Sequence, residues 1–339
     1  MKKMNNPASL KNLSLSAYAF GYGCGFVTDS RENAAQFQML SLENVASISS
    51  DYGLGGIEVP VDRYFPDLSS PELDNFLEYL STKNLRMIFA LENFSSSYFR
   101  ELAPKLAQRN IGFVRAKVSN FYGGNRFLEK NYEPDKVLFQ KNIKDSIPDI
   151  KKYGVKVLVE NHQDVTVADI RELINMFGED CIGVNWDTGN SYPSGETTTS
   201  FMEKIGSSVG NVHLKDYKIE RSEMGYVMHR CALGDGIVDF ERFIPALKKD
   251  FCADMPFSIE LGAMVGREAL IYNPEYWACT TGVSDAEKEK FIDFIESKMS
   301  QNNSIKSPWE QGSSPELIAE AEMQEAIKSI KYIKSIIND

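Results

Sequence analysis

Eight short runs rich in β-branched and aromatic residues recur along the chain, at 13–20, 56–61, 85–91, 112–118, 155–160, 181–187, 210–215 and 256–261. Several, such as VKVLVE and MIFAL, are almost continuously apolar. That is the pattern of parallel strands covered on both faces, and parallel strands need long crossovers rather than tight hairpins. Most of the runs are followed by a segment of helical periodicity, among them LENVASISSDYG, PELDNFLEYLSTKN, YFRELAPKLAQRN, VADIRELINMFG and FERFIPALKKDF. In the fourth of these, Ile170, Leu173, Ile174 and Phe177 make one apolar stripe that Gly178 closes. Eight strand–helix units predict an α/β chain closed into a (β/α)8 barrel. An open doubly wound sheet would want a glycine-rich phosphate loop after its first strand, and GYGCGF lacks the GxGxxG spacing.

The pattern changes after the eighth run. Residues 262–314 hold Tyr272, Tyr276, Trp277 and Trp309, two prolines and one amphipathic helix, EKEKFIDFIESKM. A long helical segment follows at about 315–337. It reads as the barrel's closing helix, with 262–314 as an insertion or lid over the barrel mouth inside a single domain spanning 1–339. Hydrophobic residues make up 42% of the 339 and charged ones 25%, enough apolar material for one large core. The excess of 48 acidic over 37 basic residues repels phosphate backbones and argues against nucleic acid as a partner. The five cysteines are scattered and never in CxxC spacing, so neither a disulfide framework nor a thiolate zinc site is expected. MKKMNNPASLKNLSLSAYAF lacks a continuous apolar core, and no run approaches a membrane span. A cytoplasmic protein with no membrane partner is the expectation, as a monomer or a homo-oligomer.

In a (β/α)8 barrel the carboxyl ends of the strands converge on the active site, so the polar residues that close the runs matter most. Glu160 closes the fifth run, Asp187 the sixth and Glu260 the eighth, and His213 stands near the end of the seventh. Each lies about one strand–helix unit from the next. Three carboxylates buried together require a compensating cation. With one imidazole they form an oxygen-rich donor set suited to one divalent metal ion, Mn²⁺ first, with Mg²⁺, Co²⁺ or Zn²⁺ as alternatives. The competing reading is a network of ion pairs with Lys215, Lys117 and Arg115. Lys215 shares its strand face with His213 by period-two alternation. Glu58 and Glu92 end the second and third runs and are candidate hydroxyl ligands or caps. Gly234 and Gly236 read as turn glycines, with Asp239 capping the next helix.

The segments VLVENHQD (157–164), IGVNWDTGN (182–190), VGNVHLKDY (209–217), LGDGIVDF (233–240) and FSIEL (257–261) resemble, in order and spacing, the xylose-isomerase-like TIM-barrel superfamily of sugar phosphate isomerases and epimerases. The resemblance implies a metal-dependent isomerase or epimerase of a sugar or sugar-derived keto compound. Glu160, Asp187, His213 and Glu260 would bind the metal, and Glu160 and Glu260 would move a proton through a metal-bound cis-enediolate. It also implies substrate contacts for His162, and for His229 and Arg230 on the loop after the seventh strand; Lys215, Lys117 and Glu58 are candidate substrate contacts by their positions on the strands alone. Asn190 joins this set as a departure, because many epimerases of the family carry histidine three residues after the metal aspartate.

Three other readings compete. A lyase (dehydratase, decarboxylase or β-eliminase) would use the same enolising site but lose water, CO₂ or another leaving group. A DNA-repair endonuclease on this fold needs a histidine-rich trinuclear zinc centre, for which three histidines in the whole chain are too few. A non-catalytic sugar-binding protein would have no use for four costly buried ligands. No phosphate signature is present, so a small unphosphorylated carbohydrate is the expected substrate.

Overall fold

The structure, a computed structural model, describes residues 10–26, 40–121, 123–205, 208–250, 255–300 and 305–338. Residues 1–9 of the amino-terminal segment and Cys252 lie outside them. Eight parallel strands close into a barrel: β1 (Leu13–Ser16), β2 (Gly56–Pro60), β3 (Arg86–Leu91), β4 (Phe113–Ala116), β5 (Lys156–Glu160), β6 (Ile182–Asp187), β7 (Val209–Leu214) and β10 (Phe257–Ile259). Each pairs with its sequence neighbour in the barrel, and β10 closes the ring against β1. This is a TIM barrel, with the expected insertion after the eighth strand and the long carboxyl-terminal helix α11 (Pro315–Asn338).

Alternation along the strands separates two environments. Trp186 turns outward onto the helices, where it stacks on Phe201 and meets Phe243 edge-on. Its neighbours Asn185 and Asp187 turn into the barrel, where Asn185 Oδ1 accepts from Asn211 Nδ2 at 2.5 Å. Glu58, Arg115 and His213 also point inward and are buried. The apolar runs therefore feed the strand–helix layer, while the barrel's interior is polar.

Local chemistry sets the helix starts. Thr166 forms a capping box with Asp169 at the head of α6 (Val167–Phe177), and Ser284 does the same with Glu287 at α10 (Asp285–Lys298). The first run is shorter as a strand than its composition suggests. Ser16 accepts the Tyr18 N–H and turns Ala17–Phe20 into a 3-10 helix over the barrel mouth.

The stretch after the seventh strand differs from the simple loop expected there. YKIERSEMGYVMHR folds into an antiparallel hairpin, β8 (Tyr217–Arg221) and β9 (Tyr226–Arg230), ahead of α8 (Phe240–Asp250). β11 (Arg267–Ala269) in the insertion adds a third strand. The rest of the insertion packs over the loop that follows β6. Tyr276 donates its hydroxyl to Pro193 O at 2.7 Å, Phe294 stacks on Tyr192, and Glu287 meets Lys204 at 2.9 Å. Among the described residues no helix is long and apolar enough to cross a membrane, and the four described cysteines are free thiols.

Candidate active site

At the carboxyl ends of β5, β6, β7 and β10 the structure brings together Glu160, Asp187, His213 and Glu260, all buried, with one donor atom of each within 4.8 Å of all the others. Sheet register does this: Asp187 lies opposite His213, and His213 opposite Ser258, two residues before Glu260.

Each side chain is anchored by protein partners and turns a donor atom towards the common centre. Asp187 Oδ1 accepts the N–H groups of Gly189 and Asn190 at 2.9 and 3.0 Å, which leaves Oδ2 inward. Glu160 accepts Asn190 Nδ2 at 3.2 Å on Oε1 and an ion pair with Arg115 on Oε2. Glu260 Oε1 takes Lys215 Nζ at 2.7 Å, and Oε2 faces His213 Nδ1 at 3.0 Å. Neither of those two facing atoms makes a well-formed hydrogen bond. His213 Nε2 is held at 2.9 to 3.0 Å by the Glu58 carboxylate.

Glu58 is thus placed differently from the expectation of a substrate contact. It reaches from β2 beneath the cluster and fixes the imidazole so that Nδ1 faces the centre. Arg115 and Lys215 supply two positive charges, as the ion-pair reading expects, but four carboxylates (Glu58, Glu160, Asp187 and Glu260) are buried there. With His213 neutral, as a metal-binding imidazole must be, the deficit is two charges, and a divalent cation has that charge. The donor set fits one.

The electrostatics express the same deficit. Burial, with help from Glu160 and Glu260, pushes Asp187 up to about 6 in spite of Lys215. Burial alone would also raise Glu160 and Glu260, but Arg115 and His213 hold the first well below the usual carboxylate range, and Lys215 and His213 hold the second there. Burial disfavours a charged His213, yet Glu58, Glu260 and Glu160 outweigh it and raise that imidazole well above its ordinary value.

A cavity of about 360 Å³ opens above the cluster, and Tyr18, Phe26, Lys117, His162, Glu260 and Arg267 are in its wall. Tyr18 packs against Phe26 with the rings tilted by 30°, and the Arg115 guanidinium lies over the Tyr18 ring. Burial lowers the pKa of His162 although Asp164 opposes the shift. Gln163, which the sequence did not single out, joins the walls: it accepts Gly123 N–H at 2.7 Å and Arg267 Nη1 at 3.2 Å, and donates to Tyr217 at 3.0 Å. Its position three residues past a strand-end ligand was the available signal. Asn190 packs behind the wall against Gln163, Tyr217 and Glu160.

His229 and Arg230 do not reach this cavity. Both are held in β9 by other partners. His229 meets Glu220 at 3.1 Å, and Arg230 is consumed by Glu322, Glu325, Gly262 O and Ala19 O. A larger cavity, about 810 Å³, lies at the opposite end of the barrel beside Leu77, Met87, Ile111 and Pro256, away from the buried carboxylates.

Comparison with known proteins agrees with this architecture. The family model described as xylose isomerase-like TIM barrel matches residues 46–278. The 3-oxo-isoapionate decarboxylase of Pectobacterium atrosepticum is 19% identical over 231 residues, which cover 68% of this chain and 78% of that protein. D-psicose 3-epimerase from Clostridium cellulolyticum, solved with D-tagatose, superposes with a TM-score of 0.53 at 12% identity, covering 85% of this chain and 99% of that one. A D-tagatose 3-epimerase-like protein gives 0.52 at 12% identity over the same shares. At such identities the structural likeness speaks for the fold alone. The family match spans most of the barrel, and on that ground this chain belongs to the xylose isomerase-like TIM barrel family.

Proposed function

We propose that this chain is a divalent-metal-dependent isomerase or epimerase that moves a proton at a carbon beside the carbonyl of a sugar or sugar-derived keto compound. The observation that carries the reading is the charge deficit of the buried cluster at the floor of the cavity. Glu160, Asp187, His213 and Glu260 would hold the ion, Mn²⁺ foremost, with Mg²⁺, Co²⁺ or Zn²⁺ as alternatives. When bound, it would supply Lewis-acid stabilisation of negative charge on substrate oxygens.

The chain's own groups do the rest. Glu260 is the member of the cluster that lines the cavity, so its carboxylate is the base that first meets a substrate carbon. Lys215 Nζ, 2.7 Å from both Glu260 and Asp187, orients that carboxylate and keeps it ionised. Glu160, fastened by Arg115 and Asn190, is the second proton carrier. Tyr18 and Phe26 wall off water on one side.

One feature favours a second reading, a lyase acting on a keto-sugar or sugar acid. Glu260 borders the cavity while Glu160 lies behind Arg115, an asymmetry that suits decarboxylation, in which CO₂ leaves and one proton is placed on the carbon it leaves, rather than a reaction in which one proton is removed and one returned. The decarboxylase relative points the same way. Proton NMR in D₂O on Mn²⁺-loaded protein with ketoses and keto acids separates the two. Deuterium at the carbon beside the carbonyl of a recovered isomer supports the first, and loss of water or CO₂ from the substrate supports the second. Metal analysis that finds no divalent ion in the wild type, or an equal amount in Glu160→Gln and Asp187→Asn, would sink both.

A further inference from the structure

One side chain touches the segments that leave all four ligand-bearing strands. Tyr217 opens β8, four residues past His213, and is buried in the wall of the cavity. Its ring lies between two glycines. A Cβ on Gly189, two residues past Asp187, would stand 2.9 Å from Tyr217 Cε2. A Cβ on Gly262, two residues past Glu260, would stand 3.1 Å from Tyr217 Cε1 and from its hydroxyl oxygen. The two contacts fall on opposite edges of the ring. Neither glycine has a positive φ, so what the ring needs from them is the missing Cβ. The fourth contact is Gln163, three residues past Glu160.

Hydrogen bonding fixes which way the hydroxyl can point. Gln163 Oε1 accepts the Gly123 N–H and Arg267 Nη1, so its Nε2 end faces Tyr217, 3.0 Å from the hydroxyl. Asn190 Nδ2 donates to Glu160 Oε1, so its Oδ1 end faces the same hydroxyl, at 3.4 Å. A carboxylate only accepts and an amide nitrogen only donates, so neither amide can turn round without losing these bonds. Tyr217 therefore accepts from Gln163 and keeps its own proton to give. Among the described residues, the acceptor it reaches is Asn190 Oδ1, at the long end of the hydrogen-bond range and shared with Gln163 Nε2 at the same 3.4 Å. A buried donor with so poor a partner gains when a better acceptor enters the cavity.

We propose that Tyr217 binds substrate, its hydroxyl donating a hydrogen bond to a sugar hydroxyl that lies away from the metal. The proposal rests on the metal-centred reading above for the class of ligand. Gly189 and Gly262 set the ring as a rigid post, and Gln163 turns its proton towards the ligand. Such a post selects among sugars, because an analogue that lacks the matching hydroxyl leaves the buried groups of the site poorly paired.

The test is calorimetric titration of Mn²⁺-loaded wild type and Tyr217→Phe with D-fructose and its monodeoxy analogues. Tyr217→Phe keeps the ring between the glycines and removes only the hydroxyl. It should bind D-fructose about five- to tenfold more weakly than the wild type, with manganese affinity unchanged. One deoxy analogue, the one without the hydroxyl that Tyr217 meets, should bind wild type and variant equally. The other analogues should show the same loss as D-fructose. Undiminished binding of D-fructose by the variant, or a uniform loss across every analogue, would overturn the proposal and leave the metal-centred reading standing. Lower manganese affinity in Tyr217→Phe would also overturn it, by making the hydroxyl a support for Asn190 and Glu160. A wild type that takes up manganese and binds none of these sugars overturns the proposal together with the sugar as ligand. A wild type that takes up no manganese overturns the metal-centred reading beneath it.

Discussion

The imidazole of His213 has two nitrogens with different tasks, and a residue 155 positions away assigns them. Glu58 takes Nε2, which leaves Nδ1 for the cluster and makes the ring more basic, the arrangement in which an outer carboxylate tunes a metal-binding histidine. Glu58→Gln keeps the shape and removes the charge. It should weaken Mn²⁺ binding by about 10- to 100-fold in a calorimetric titration. An unchanged affinity would reduce Glu58 to a packing residue. Protons give a second handle on the same atoms. Without metal, His213 holds its proton more strongly than an ordinary imidazole, because Glu58, Glu260 and Glu160 surround it, and Asp187 takes up a proton below about 6. A cation must displace whichever protons are present. The apparent Mn²⁺ affinity should fall as pH drops, and more steeply below about 6, where Asp187 adds its proton. Titrations across this range read the slope directly, and a flat profile would mean that neither group is a ligand. At this scale the candidate ligands were legible in the sequence because each ends a strand of recognisable pattern. Their supports were not. The pairing of Glu58 with His213, or of Arg115 with Glu160, joins side chains on different strands, and no local signal reports which strands meet across a barrel.

Between β7 and α8 the chain depends on one buried carboxylate. Asp216 accepts the backbone N–H groups of Tyr217, Gly234, Gly236 and Val238, all at 3.0 Å. These bonds pin the LGDG turn to the root of the hairpin, as the reading of Gly234 and Gly236 as turn glycines requires. Gly234 has φ of +87°, and a Cβ on Gly236 would lie 2.2 Å from Asp216 Oδ1, so both positions need glycine for physical reasons. Asp216→Ala should cost at least about 3 kcal/mol in chemical denaturation, since it orphans several buried donors at ~1–3 kcal/mol each. Burial raises Asp216 to about 6, and Asp216→Asn, which keeps one of the two acceptor oxygens, should cost less. A loss below about 1 kcal/mol for the alanine variant would mean that water replaces the carboxylate. The hairpin itself had a readable signal, the alternation in YKIERSEMGYVMHR with a glycine at its turn. The expectation of a bare loop passed over it, and His229 and Arg230 were misplaced as a result. Once β8 and β9 pair, other partners hold those side chains. Arg230 becomes a joint that holds Glu322 of α11, Gly262 of the insertion and Ala19 of the mouth together.

For the molecule as a whole, the charge deficit at the barrel's floor links metal binding to stability. A ligand that binds only the folded state stabilises it by about 2.7 kcal/mol at 100 times its dissociation constant. Saturating Mn²⁺ should therefore raise the melting temperature of the wild type by several degrees and leave Asp187→Asn unmoved; no shift in the wild type would remove the metal from the account. The alternation of eight apolar runs with amphipathic segments was sufficient by itself for the closed barrel, because continuous apolar strands must be covered on both faces and parallel strands must be joined by crossovers. The same alternation, with period two inside each strand, set which strand-end residues face one another at one end of the barrel. Composition and spacing also foretold an insertion after the eighth strand and a closing helix. Only the tertiary structure decided what surrounds the ligands: Glu58 below His213, Arg115 on Glu160, Gln163 as the link between walls, and Arg267 brought in from the insertion. Strand-end positions follow from local periodicity, which a single segment records. Partners across a barrel or from an insertion depend on register, closure and packing among segments far apart in the chain, which no single segment records.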